Sequence, residues 1–361
     1  MKNMWKRAAA AVMLLVCGLA AGCGNTQTAG SQSRQGEQKV VVYMPSPTKL
    51  ADQLAAGFTA KTGIKVEQFQ GTTGQILARM EAEKSHPQAD VVILASWSDG
   101  MSLKKKDLLL AYEPKNGDLM PDTWKDDAHM MYGTSASAVG VIYNTAVFPQ
   151  LNADWGELAS DPAYQNQMVI PDPKKSGSCK DFIDGFVTSK GDQGWSVLQG
   201  LFHQGMEVRG ANKAALESVL TGEKGILIAG VDYNAFEAMK KGEPIAIYYP
   251  QGGTVVNPRP AMIMKAAPDQ ENAKKFMDYL LSDEAQKMVE DAYLLPGRTD
   301  IKQDNRTALS EIAQIHADWD EMEKQADQIM KRFAAMAGTG RRYGGIREFL
   351  GGGRDPGGSP F

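Results

Sequence analysis

Three short stretches place hydroxyl side chains where a loop runs into a helical pattern. Ser46 and Thr48 precede the segment that contains Leu50, Thr72 and Thr73 precede Gln75, and Ser176 and Ser178 precede Asp181. The first turn of a helix carries backbone N–H groups without intrahelical partners and the positive end of the helix dipole, so several such turns aimed at one point suit an oxyanion. Ser and Thr are also favoured N-caps, and each cluster therefore has a structural reading beside the ligand-binding one. Arg259, between Pro258 and Pro260, either adds a charge-assisted contact to the same anion or is a surface or hinge-strand residue. Asp232-Tyr233 lies between an apolar strand pattern over residues 225–231 and a helical one over 234–240, so Asp232 is a candidate N-cap or a candidate counter-ion for a ligand amine. Trp97, just after a third apolar run, is a candidate cleft wall or a packing residue.

Other chemistries find less support. His86, His129, His203 and His316 show no metal-ligand spacing, so no resident metal or cofactor is expected. Tyr248-Tyr249 lies on an apparent strand, where successive side chains face opposite ways and cannot easily grip one ion. Cys179 has no histidine near it in sequence and reads as an unreactive thiol. There is no Gly-x-Ser-x-Gly, phosphate-loop or His-Glu-x-x-His motif, and no enzyme is expected. An exported phosphate-ester hydrolase using Ser176, Ser178 or Cys179 is the alternative of another class, and it lacks an evident general base.

The elements that would carry these residues alternate. A β-branched run over residues 39–44 is followed by a helical pattern through Leu50, Leu54 and Phe58 that stops at Gly63. A strand over residues 65–69, a helix over 75–84 and an apolar run over 89–95 repeat the unit, which argues a mostly parallel α/β sheet with ligands at the carboxyl ends of its strands. A separate α/β block follows, and the chain returns through residues 245–249 and 261–264 to a long helix pair over 271–292 and 308–337. Two apolar crossings around that block imply a discontinuous lobe 1 (39–134 plus 255–337) with lobe 2 (135–254) inserted. Residues 338–361 are Gly-rich with little to bury, and are expected to be disordered, either as a basic tail or as a cloning or reading-frame artefact.

The chain has 361 residues, 39 basic and 43 acidic side chains and net charge −4, which gives no overall electrostatic basis for binding nucleic acid. Lys2, Lys6 and Arg7 precede an apolar run over residues 8–22 that is too short for a comfortable permanent span, the pattern of a secretory signal. Removing it takes away three basic side chains and leaves a more acidic protein, so any anion must be held by local donors. The run closes with Leu19-Ala20-Ala21-Gly22-Cys23, which resembles the lipobox of bacterial lipoproteins, and this implies a diacylglycerol on Cys23. Residues 23–38, Gly/Ser/Gln/Thr-rich after that cysteine, read as a flexible tether to the outer face of the cytoplasmic membrane.

Several further segments carry a wider resemblance: Val40-Val41-Val42-Tyr43, Ala89-Asp90-Val91-Val92, Ile170-Pro171-Asp172-Pro173 before Ser176-Gly177-Ser178, the run from Gly252 to Pro260, and the run from Ala273 to Gln286. In this order, behind a lipobox, the chain resembles the solute-binding lipoproteins of bacterial ABC importers, in the group that binds ferric iron, 2-aminoethylphosphonate or phosphoglycerate. The resemblance covers roughly residues 38–335 and implies two α/β lobes with hinge strands, the type II periplasmic-binding-protein fold, closing on a solute as a monomer that delivers it to a permease. Within that group the three hydroxyl clusters favour a small anion, a phosphonate or phosphate ester such as 2-aminoethylphosphonate, with ferric iron as the alternative. In iron-binding relatives two adjacent tyrosines occupy the position that here reads Asp232-Tyr233, which puts iron in doubt and leaves Tyr233 as the one candidate iron ligand.

Overall fold

The computed structural model describes residues 38–350. The signal sequence, Cys23 and nearly all of the tether lie outside the described residues, as do residues 351–361. In chain order the elements are β1 (Lys39–Met44), α1 (Thr48–Thr62), β2 (Lys65–Gln70), α2 (Thr73–Ala82), β3 (Val91–Ile93), α3 (Trp97–Lys105), β4 (Leu109–Leu110) and β5 (Tyr132–Asn144). Then come α4 (Trp155–Ser160), β6 (Met168–Ile170), α5 (Gly177–Lys190), α6 (Asp192–His203), β7 (Glu207–Val208), α7 (Asn212–Leu220), β8 (Ile226–Val231) and α8 (Asp232–Lys240). The chain continues with β9 (Ile245–Tyr248), β10 (Val256–Met264), α9 (Gln270–Leu280), α10 (Asp283–Asp291), β11 (Leu295–Pro296) and α11 (Trp319–Leu350).

The sheet runs in the order β2-β1-β3-β10-β5-β8-β6-β7. At one end β1 pairs in parallel with β2 and β3, and at the other β6 pairs in parallel with β7 and β8. Between them β5 and β10 run antiparallel, with Val256 opposite Ala138 and Ala261 opposite Tyr132. The first half of β5 pairs with β10, whereas its second half pairs with β8 and β9, so this wholly buried strand belongs to both ends of the sheet. Near-continuous apolar runs such as β1 and β8 suit strands covered on both faces. The lobe on β1–β3 is packed by α1, whose Leu50, Leu54 and Phe58 point inward and whose Phe58 ring meets Phe276 of α9 edge-on at 5.1 Å. Gly63 ends α1 in the left-handed region (φ 74°) and returns its N–H to the Thr59 carbonyl. This is the two-lobe α/β architecture expected from the alternating pattern, with β5 and β10 as the crossings.

Three segments differ from the sequence reading. The helix expected over 271–292 is two helices, because Ser282 caps α10 with its hydroxyl on the Ala285 N–H. The helix expected from residue 308 begins at Trp319, since the preceding chain is drawn into irregular contacts that include a bridge between Thr254 and Gln314. Helix α11 then continues to Leu350, beyond residue 338 where composition predicted the fold to end, as extending an established helix adds one hydrogen bond per residue fixed. The reading also placed α11 with lobe 1, but it straps both lobes. Its Trp319 ring lies 6.4 Å from Trp97 of α3, and its Phe333 ring meets Phe202 of α6 at 5.3 Å.

The lobes touch directly at one end of the cleft. A methyl group on Gly177 would stand 2.8 Å from Ser96 Cβ and 2.9 Å from Thr73 Oγ1, so α5 approaches α2 and α3 only because that position is glycine. Behind it, Asp181 of α5 accepts from Ser96 Oγ (2.8 Å), Ser98 Oγ (2.6 Å) and the Trp97 N–H (2.7 Å) of α3. Lys180 donates to Ser98 (2.8 Å) and Asp99 (2.9 Å) and lies 3.8 Å from Asp184, which is fully buried. Burial pushes the carboxyls up against the pull of Lys180, Asp181 to about 6 and Asp184 to about 8. Burial opposes the charge on Lys180, but the three aspartates hold its pKa above the usual lysine value.

A carboxyl with a higher pKa in the folded protein than in the unfolded chain keeps its proton longer when folded. Its contribution is therefore fully present below the ordinary aspartate value of about 4 and is lost as pH rises through the folded value. Thermal melts are expected to show a melting temperature that falls as pH rises through about 6 and about 8, and Asp184→Asn is expected to flatten the upper part of that fall. A melting temperature that rises over the same range would contradict this account.

Candidate functional site

The carboxyl ends of β1, β2, β6, β7 and β8 surround a cleft of about 880 Å³, within the usual range for small-molecule sites. Both lobes contribute, through the loops that enter α1 and α2 on one side and α5, α7 and α8 on the other.

Of the hydroxyl clusters, Ser46, Thr48, Thr72, Thr73 and Ser176 line this cleft, and Ser178 does not. Their roles divide. Thr72 forms a reciprocal capping box with Gln75, accepting from its N–H at 3.2 Å, so the Thr72 hydroxyl hydrogen is still available to a ligand. Thr73, 3 % exposed, accepts from the Ala95 N–H at 3.2 Å. Ser176 caps α5 by accepting from the Cys179 N–H (3.2 Å) and donates to Asn212 Oδ1 (2.7 Å), which commits its proton as well. Ser178 is buried against Asn212 Nδ2 at 3.2 Å. For α2 and α5 the structural reading of the hydroxyls therefore accounts for their bonds.

Helices α1, α7 and α8 behave differently. Their N-caps are Pro47, Ala211 and Val231, none of which supplies a side-chain cap. In α1 the first N–H returned to the helix is that of Ala51, on the Pro47 carbonyl, and in α7 that of Ala215, on the Ala211 carbonyl. The N–H groups of the preceding turn face the loop end, and Lys49 and Lys213 sit in those turns on the cleft. Lys175 lines the cleft too, and none of these three lysines has a carboxylate within ion-pair distance among the described residues. The sequence reading gives a helix near residues 214–220 but does not single out its first turn as a binding feature, because Ala211 gives no capping signal. The Asn-Lys pair at 212–213, matching Thr-Lys at 48–49, was the available hint.

Arg259 lies just behind the wall. It is 1 % exposed, donates to the Pro45 carbonyl at 2.9 Å, and its guanidinium carbon sits 6.0 Å from the centroid of the Tyr233 ring. Pro45 and Tyr233 both line the cleft, one from each lobe. The Nε atom of Arg259 has no hydrogen-bond partner, and no carboxylate pairs with this guanidinium among the described residues. Burial lowers its pKa, and the same burial raises that of Tyr233.

Two expectations are corrected. Asp232 does not line the cleft. Its carboxylate accepts from the N–H of Ala138 (3.0 Å), the N–H of Tyr233 (2.8 Å), the Tyr249 hydroxyl (3.2 Å) and Arg306 (2.5 Å), so it is neither the N-cap of α8 nor free for an amine. Burial pushes its pKa up, while Arg306 and the peptide donors pull it down. Trp97 opens α3 and packs on Trp319 instead of walling the cleft. Acidic groups that do line the cleft are Glu217, Glu237, Glu243 and Asp291, with Glu237 held by Lys241 at 2.7 Å.

Among the described residues, the nucleophiles of the hydrolase alternative have no histidine, lysine or carboxylate in hydrogen-bond contact. Ser176 and Ser178 meet the amide of Asn212, and the fully buried Cys179 thiol, pushed up by burial and the nearby Asp172 and Asp184, contacts the Pro171 carbonyl at 3.2 Å. None of the four histidines lines the cleft.

The chain is 24 % identical to iron uptake protein A1 of Synechocystis sp. over 286 residues, 74 % of this chain and 78 % of that protein. It is 25 % identical over 281 residues to a periplasmic protein of Salmonella typhimurium provisionally named for 2-aminoethylphosphonate binding, covering 73 % of this chain and 81 % of that one. Among solved structures, the periplasmic binding protein AfuA from Actinobacillus pleuropneumoniae with fructose-6-phosphate bound superposes with a TM-score of 0.77 at 21 % identity, over 84 % of this chain and 99 % of AfuA. That likeness establishes the two-lobe fold. Residues 87–325 match one family throughout, and the chain belongs to the bacterial extracellular solute-binding proteins.

Proposed function

We propose that this protein captures a small oxyanionic solute, a phosphonate or phosphate ester, by closure of its two lobes about β5 and β10, and delivers it to the permease of an ABC importer. The observation that carries the reading is Arg259, a buried guanidinium with no carboxylate partner, set behind a wall to which each lobe contributes. A buried charge left unpaired costs several kcal/mol, and an anion arriving at that wall would offset the cost. The unpaired first turns of α1 and α7, with Lys49 and Lys213, supply further donors from opposite lobes. A solute held by both lobes favours the closed population without a chemical step. The Salmonella protein named for 2-aminoethylphosphonate and the fructose-6-phosphate complex of AfuA support this class of solute. For an amine on such a solute, Glu217 or Glu237 on the cleft replaces Asp232 as the counter-ion.

Ferric iron is the second reading. Tyr233 and Tyr293 both line the cleft, and the Synechocystis relative is named for iron uptake. Burial and the resulting high pKa of Tyr233 disfavour the tyrosinate that iron requires. At the membrane, Cys23 would carry the lipid anchor, and the bound state would be a monomer.

Calorimetry with 2-aminoethylphosphonate, fructose-6-phosphate and inorganic phosphate tests the reading. Arg259→Met is expected to weaken binding of the preferred anion by 100-fold or more. Its melting temperature should be unchanged or higher, because an unpaired buried charge is removed. A variant that binds as well as the parent sinks the oxyanion reading, and a visible tyrosinate–iron band on adding ferric citrate, without stabilisation by any phosphorylated probe, favours iron. For the anchor, Cys23→Ser is expected to move the protein from the membrane to the soluble fraction and to abolish incorporation of labelled palmitate; an unchanged membrane fraction argues against lipidation at Cys23.

A further inference from the structure

We infer that Arg306 is a specificity-determining residue of the cleft, which keeps the site selective for anions by neutralising Asp232. The inference rests on the oxyanion reading above. The side chains of Arg306 and Asp232 are both fully shielded from solvent and meet at 2.5 Å. The same guanidinium donates to the Tyr293 carbonyl at 2.8 Å and lies 5.4 Å from the centroid of the Phe236 ring. Tyr293 has a positive φ of 62°, a conformation that a bulky residue adopts only where its surroundings impose it, and its ring packs on Phe236 at 6.3 Å.

Two guanidiniums therefore bracket the Asp232-Tyr233 dipeptide, and each also holds a backbone carbonyl on the cleft wall. Arg306 reaches Asp232 and the Tyr293 carbonyl, while Arg259 reaches the Tyr233 ring and the Pro45 carbonyl. Among the described residues only the first has a carboxylate partner. Without Arg306, Asp232 would be a buried carboxylate next to Tyr233, left with the N–H groups of Ala138 and Tyr233 and the Tyr249 hydroxyl, and its negative charge would oppose that of Arg259 across the dipeptide. The charge that faces the solute would then be cancelled from within. Arg306 takes up the carboxylate, and the wall keeps a net positive charge.

The test compares the parent, Arg306→Met, and Arg306→Met combined with Asp232→Asn, by calorimetry with inorganic phosphate and 2-aminoethylphosphonate, alongside thermal melts. Arg306→Met is expected to lose at least tenfold in affinity for both probes, and the double variant to return to within about threefold of the parent. If Arg306 only positions Tyr293, the double variant stays as weak as the single, since both lack the bond to the Tyr293 carbonyl, and the inference fails. Unchanged affinity in Arg306→Met overturns it as well. Should Arg306→Met fail to fold, Arg306→Lys keeps the charge without the fork; retained affinity supports the inference, and a tenfold loss overturns it. A folded parent that binds neither probe overturns the oxyanion reading itself, whereas a parent that binds while the variants do not follow this pattern overturns only the role of Arg306.

Discussion

A guanidinium withdrawn from water without a counter-ion is one of the more costly things a fold can contain. Among the described residues Arg259 is in that condition, on the crossing strand β10, and its one hydrogen bond to the backbone reaches the Pro45 carbonyl of the loop that enters α1. The packing of β5 against β10, the closeness of Tyr233 and the position of that loop together hold it there. In an ordinary core such a charge would be replaced or paired. Its persistence at the wall of a cleft is the kind of local cost that functional sites carry.

The other buried charges around the cleft are compensated within the protein. Asp232 is matched by Arg306, and Asp181 and Asp99 by Lys180 with the hydroxyls of Ser96 and Ser98. These pairs lie where lobes or crossing strands meet, and each ties a side chain of one segment to partners far away in sequence. Asp184 is the exception, with no hydrogen bond to either oxygen, and burial accordingly leaves it protonated near neutral pH. The molecule thus separates charges that fasten its lobes from the one left available at the wall.

A similar division runs through the helix N-termini. Thr72 and Ser176 close the ends of α2 and α5 with their own oxygen atoms, and in doing so they fix the segments where the lobes abut. Helices α1 and α7 start from Pro47 and Ala211, which cannot cap, so their donors stay unpaired on either side of the cleft. The rule that Ser and Thr mark a helix start is sound, but it points to satisfied termini. For an anion site the informative residues were those that cannot cap.

The sequence by itself determined the two-lobe α/β fold, because a strand pattern such as residues 39–44 or a helical stripe such as Leu50, Leu54 and Phe58 is a property of adjacent residues and needs no distant partner to be read. It also determined several of the loops that face the cleft, those that enter α1, α2, α5 and α8, since these follow the carboxyl ends of strands. The tertiary structure decided which side chains in those loops are free. Asp232 looked available until Arg306, 74 residues away, occupied it, and Trp97 until Trp319 packed upon it. Arg259 read either as an anion contact or as a surface or hinge-strand residue until burial on β10 showed a guanidinium with no carboxylate partner among the described residues. Whether a polar group is satisfied depends on the atoms that surround it in space, and spacing along one chain does not contain that information.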